Sequence, residues 1–163
     1  MQKITPCLWF DSNAEQAAKF YVGIFKRSKI TRIARYTGVG QEVHGRPAGS
    51  VMTVAFELNG QPFTALNGGP VFKFTEAVSF QIDCATQAEV DYYWKKLSAG
   101  GPKDAQQCGW VKDKFGLSWQ IVPRLLPKLI SDRDPAKAGR TMAAMLKMKK
   151  LDIAKLEQAH AGR

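Results

Sequence analysis

The feature that most constrains this chain is a pattern that occurs twice, 73 residues apart. Asn13-Ala14-Glu15-Gln16 sets a helix N-cap residue three positions before a Gln, and Thr86-Gln87-Ala88-Glu89 repeats the arrangement with Glu. Both read as capping boxes, which satisfy backbone N–H groups that a first helical turn leaves without partners. Ala17, Phe20, Tyr21 and Ile24 then follow at the i, i+3, i+4, i+7 spacing of one apolar helix face. Val90, Tyr93, Trp94 and Leu97 do the same, each at the same offset. A strand-like run precedes each cap, at 4–10 and 77–83. A constant offset through cap, third position and stripe predicts a duplicated module.

Each module continues in strands. Met52, Val54, Phe56 and Leu58 alternate with Val51, Thr53, Ala55 and Glu57, and Asn59-Gly60 supplies a tight hairpin turn before 63–67 runs back. Residues 29–36 form a further strand of the first module. In the second, strands at 107–112 and 117–122 flank Asp113-Lys114-Phe115-Gly116, a turn with Gly where the chain must bend. The expected fold is α+β, two tandem β-α-β-β-β modules at 1–75 and 76–123 forming one domain, followed by a helical tail at 124–163. Two such modules close their sheets around a concave cavity, a usual place for a ligand.

Gly38, Gly40, Gly45, Gly49 and Pro47 crowd the segment 37–49, a composition that argues against a strand or helix and predicts a mobile loop. In the tail, Asp134-Pro135 and Asp152 read as helix starts. Met142, Met145, Leu146 and Met148 read as one apolar side, with Ile153 and Leu156 beyond. That side needs a surface, on its own sheet or on a partner's. Uncovered sheet edges and the limited core of two small modules lead us to expect a homodimer.

Of the 163 residues, 45% are hydrophobic and 23% charged, the balance of a soluble globular chain. No apolar run approaches the ~18 residues of a membrane span, and the first ten residues lack a secretory pattern, so a cytoplasmic protein without a membrane partner is expected. Three widely spaced cysteines, Cys7, Cys84 and Cys108, fit free thiols in a reducing compartment. The net charge of +10 is split between two regions: nine basic and four acidic residues up to position 75, ten and four from 124 onward. The tail has no aromatic residue to stack on a base, so solvated helix faces explain this charge better than nucleic acid does.

Several strings point to a known family. They are Thr5-Pro6-Cys7-Leu8-Trp9-Phe10-Asp11, Phe20-Tyr21 with Ile24-Phe25, and Phe63-Thr64-Ala65-Leu66-Asn67-Gly68-Gly69-Pro70. Gln107-Cys108-Gly109-Trp110 and Lys112-Asp113-Lys114-Phe115-Gly116-Leu117-Ser118-Trp119-Gln120 complete the set. The chain resembles the PhnB-like branch of the vicinal-oxygen-chelate (glyoxalase/bleomycin-resistance/dioxygenase) superfamily, whose members often carry the label 3-demethylubiquinone-9 3-methyltransferase. The resemblance implies a cavity between the modules that takes a small aromatic or apolar molecule. It leaves open a metal-independent enzyme or a sequestering protein of the bleomycin-resistance type. The superfamily's enzymes chelate a divalent metal through His, Gln or Glu, with a late Glu ending a D-x-x-G-x-x-x-E pattern. Here Gln120 stands in that place and the first strand of each module has no His, so no metal and no other cofactor is expected. A methyl donor usually sits at a Gly-rich turn between strand and helix, whereas Gly68-Gly69 leads into Pro70.

The candidate ligand-binding residues are Trp9, Asn67, Trp110, Ser118 and Gln120. Strand alternation puts Gln120 on one face with Ser118 and Val122, opposite Trp119 and Ile121. Trp9 and Trp110 can wall a cavity or belong to the core, and Asn67 can meet a ligand or simply end its strand. Catalytic residues stay unknown. Cys108, with Lys112 near to favour its thiolate, and His44, on the Gly-rich loop, are the candidates, against a buried thiol and a solvated imidazole.

Overall fold

The structure, a computed structural model, describes residues 4–163 and divides into two compact units, Met1–Lys73 and Phe74–Arg163. In the first, β1 (Cys7–Phe10), α1 (Ala14–Val22), β2 (Lys29–Arg35), β3 (Val51–Leu58) and β4 (Gln61–Asn67) make a β-α-β-β-β module. A one-turn helix α2 (Gln41–His44) interrupts it before β3. The sheet runs β1-β4-β3-β2, with β1 parallel to β4 and the other pairs antiparallel. The alternation in β3 sends Val54, Phe56 and Leu58 to the helix side, where Leu8, Phe10, Phe63 and Ala65 join them under Ala14, Ala17, Ala18 and Tyr21 of α1. Three alanines let the helix lie close, and Tyr21 stacks on Phe56 with ring centres 6.2 Å apart. Asn59 and Gly60 take φ of 50° and 84°, the two positive values the predicted hairpin turn requires.

The structure departs from two local expectations. Asn13 caps α1 by position but makes no side-chain bond, because its backbone (φ −113°, ψ 23°) lies outside the extended region that aims an N-cap side chain at the first turn. Asn67 of β4 serves the start of the helix at a different donor: its Oδ1 accepts from the N–H of Ala14, 53 residues away, at 2.8 Å. The Gly-rich segment, expected to hold no helix, contains α2. Gly40 and Gly45 bracket it with φ of 78° and 65°, so glycine supplies the left-handed ends of a single turn.

The second unit holds β5 (Ser79–Cys84), α3 (Gln87–Leu97), β6 (Trp110–Lys112) and β7 (Ser118–Pro123) in the order β5-β7-β6. Its capping box forms: Thr86 Oγ1 accepts from Glu89 N at 3.2 Å, and Glu89 Oε2 accepts from Ala85 N at 2.6 Å. This module has three strands where the repeat predicted four. In place of the counterpart of β2 it has a turn at 98–101 and a 3₁₀ turn at Lys103–Ala105. Gly101 passes so close to β6 that a Cβ there would stand 2.0 Å from the Lys112 carbonyl oxygen. The predicted strand 107–112 is also shorter, since Cys108 (φ 50°) and Gly109 (φ 85°) form a tight turn between the bridged pair Gln107 and Trp110.

The tail packs on its own unit through α4 (Leu126–Ile130), α5 (Pro135–Leu146) and α6 (Ile153–Ala161). Leu151 and Leu156 are fully buried with Val122 and Leu126, and Met145 and Met148 pack against them. Cys108 N and Gly109 N donate to the carbonyls of Met148 and Lys149 at 2.9 and 2.8 Å, and Gln87 bonds both the Leu151 carbonyl and the Ile153 N–H. Asp134 and Asp152 cap their helices as expected, accepting from Ala136 N and Lys155 N. The apolar side of α5 is turned from the expected one. Thr141 is the buried residue, its hydroxyl donating back to the Lys137 carbonyl, while Met142 and Leu146 are exposed. Among the described residues no helix is long and apolar enough to cross a membrane.

Candidate functional site

The hairpin β6–β7 turns on Asp113. Its buried carboxylate accepts from Phe115 N (2.8 Å) and Leu117 N (3.1 Å) through Oδ1, and from the Trp119 indole N–H (2.9 Å) through Oδ2. This fixes Trp119 on the α3 side with Val111 and Ile121, so alternation turns Ser118 and Gln120 to the opposite face. Pairing adds neighbours on that face: Lys112 stands across from Ser118, Trp110 across from Gln120, and Ser79 and Gln81 line up on β5.

A cavity of about 300 Å³ opens there, lined by Glu76, Ala105, Trp110, Val111, Lys112 and Ser118. Ser118 is 1% exposed, and its hydroxyl has no hydrogen-bond partner among the described residues. The Lys112 side chain is 24% exposed and its ammonium pairs with the Glu76 carboxylate, which is 59% exposed. That hydrogen bond holds the Glu76 carboxyl below its usual range. Gln120 lies beside the cavity, its amide donating to Ser79 Oγ at 2.8 Å. Trp110 and Ser118 are therefore brought together, with Gln120 next to them.

Trp9 and Asn67 belong to the first unit and to opposite faces of its sheet. The Trp9 indole donates to the Gly69 carbonyl (2.8 Å), meets Phe72 edge-on at 4.9 Å and lies over Gly68, where a Cβ would stand 2.2 Å from the ring. Asn67, besides capping α1, donates to the Val51 carbonyl at 3.0 Å, and its own carbonyl accepts the Tyr36 hydroxyl at 2.6 Å. It borders a polar cleft of about 320 Å³ with Ser12, Glu15, Lys19, Arg46 and Ser50. The cations of this cleft are committed internally, Lys19 to Glu15 and Arg46 to Asp11.

Neither candidate for chemistry lines the cavity. Cys108 sits in the turn before β6, with Gln107 Nε2 3.5 Å from its sulfur. The His44 ring lies 4.4 Å from the Tyr36 ring. Its Nδ1 accepts from Arg46 N, which leaves Nε2 to donate to the Val39 carbonyl. Cys84 is fully buried, and burial, with Glu89 and Asp83 nearby, pushes its thiol up to about 12. Among the described residues no three His, Cys, Asp or Glu side chains are grouped to hold a metal, and Gln120 has a serine rather than a carboxylate beside it, so the residues present do not fit the chelate that the resemblance implied. Sequence reasoning missed Lys112 as a wall residue, although it stands two positions after Trp110 on one strand. Glu76, in a turn, left no periodic signal.

The family model described as 3-demethylubiquinone-9 3-methyltransferase matches residues 2–122. A solved structure from Bacillus cereus, described as a 3-demethylubiquinone-9 3-methyltransferase, PhnB protein, is 35% identical, with a TM-score of 0.63 over 75% of this chain and 99% of its own. A protein of Pseudomonas aeruginosa at 18% identity shares the fold, with a TM-score of 0.57 over 76% of this chain and 98% of its own. No curated protein matches. With the match spanning both strand-helix modules, this chain belongs to the PhnB-like, 3-demethylubiquinone-9 3-methyltransferase-like family.

Proposed function

We propose that this protein binds a small aromatic or apolar molecule, without a metal, in the cavity on the Ser118 face of its second sheet. The observation that carries this reading is the Ser118 hydroxyl, buried without a partner in a mostly apolar cavity walled by Trp110. A buried unpaired hydroxyl costs about 1–3 kcal/mol, and a ligand that pairs with it recovers that cost. Sequestration is favoured over catalysis because Glu76 and Lys112 are the ionisable residues of the wall, and Cys108 and His44 lie elsewhere. The family's label implies a methyl donor. Gly68-Gly69 runs into coil and Gly68 makes room for Trp9, so we read no donor site there and derive no transfer step. Titration with naphthalene-sized compounds, followed by Trp fluorescence, tests the reading. Binding is expected to be unchanged by chelator and to weaken about tenfold or more in Trp110→Ala. Equal affinity in that variant would end the assignment.

A cytoplasmic setting is supported by three free thiols. A homodimer is supported by the uncovered edge strand β2 and by Phe72 and Val78, 61% and 66% exposed. Sedimentation of the full chain is expected to give twice the chain mass, and a monomer at tens of micromolar would refute it.

A further inference from the structure

The cavity around Ser118 holds a charge that its apolar walls do not call for. Lys112 extends from β6 across from Ser118, and only a quarter of its side chain is exposed. An ammonium in that position loses hydration and needs an anion close by. The anion that now serves is Glu76, from the turn before β5, with more than half of its side chain in solvent. Its partner therefore comes from a segment outside the sheet, while Trp110, Lys112 and Ser118 are fixed on neighbouring positions of one hairpin.

We propose that Glu76 is an internal stand-in, and that the ligand of this cavity is an aromatic carboxylate whose anion takes Lys112 from Glu76. This rests on the reading of the cavity as a ligand site and names the class of ligand. The three groups match that class one to one. Trp110 offers a ring for an aromatic body, Lys112 a cation for the carboxylate, and the Ser118 hydroxyl a donor for a carboxylate oxygen. A cavity of about 300 Å³ accommodates a bicyclic ring with one such group. No bond is made or broken, and Glu76 swings into water, where its carboxylate is fully solvated.

Isothermal titration of the 163-residue chain with 2-naphthoate and 2-naphthamide tests this. The acid is expected to bind about tenfold or more tightly than the amide, the difference that a charge-assisted hydrogen bond supplies. Glu76→Gln removes the competitor and should tighten the acid several-fold while leaving the amide unchanged. Lys112→Met, and Lys112→Gln should the first variant misfold, should remove the preference for the acid. Equal binding of acid and amide, or weaker binding of the acid in Glu76→Gln, overturns the carboxylate inference and leaves the cavity in place. Failure of both probes to bind overturns the cavity reading together with it.

Discussion

Asp113→Ala is expected to destabilise the second unit by about 3–5 kcal/mol, the range found when one partner of a buried charged network is removed. The carboxylate is 1% exposed and receives two backbone N–H groups and the Trp119 indole N–H. Alanine leaves all three donors in the interior without that acceptor, each at a cost of about 1–3 kcal/mol before any relaxation. For a chain of this length the melting temperature should fall by roughly 10 °C. Trp119 emission should shift to the red as water reaches the indole. Asp113→Asn should be milder on the Oδ1 side, yet it turns an amide N–H₂ or a lone oxygen toward donors that need two acceptors. A melting temperature unchanged within 2 °C or so in the Ala variant would show that the hairpin does not depend on this residue.

A chain ending at Pro127 is expected to lose the folded second unit. Truncation deletes Leu151 and Leu156, both fully buried against Val122 and Leu126, and strips the amides of Cys108 and Gly109 of their partners at Met148 and Lys149. It also removes the Lys150 ion pair with Asp91 and both bonds of the Gln87 amide to the tail. The single change Leu156→Ala gives the scale, about 2–5 kcal/mol for a buried Leu. Hydrogen exchange should show the amides of β5 and β7 protected in the full chain and unprotected after truncation. Retained protection would mean that the tail only covers a sheet that is stable without it.

The expectation that the tail has an apolar side to bury is met in part. Leu156 is used as foreseen, but on α5 the buried position is Thr141 rather than Met142 or Leu146. Periodicity finds the residues that recur at helical spacing. It does not say where the centre of the contact falls, and a threonine whose hydroxyl bonds its own helix is apolar enough to be buried. The two capping boxes make the same point. Thr86 behaves as the sequence pattern reads because an N-cap bond is local, spanning three residues. Asn13 does not, because its backbone lies outside the extended region, and Asn67 arrives from β4 to bond a different donor, the Ala14 N–H.

What the sequence by itself determined is therefore what depends on neighbours a few residues apart. The strand-helix-strand order, the hairpin at Asn59-Gly60, the caps at Thr86, Asp134 and Asp152, and the shared face of Ser118 and Gln120 all follow from period and turn chemistry. Tertiary structure alone decided the rest. It removed a strand from the second module, where Gly101 passes against β6, and placed Asn67 in a cap and Trp9 over Gly68. It also paired Lys112 with a glutamate 36 positions away in a turn. Each of these is a contact between residues far apart in sequence. Their partners are chosen by the packing of whole elements, and no spacing along the chain records that choice.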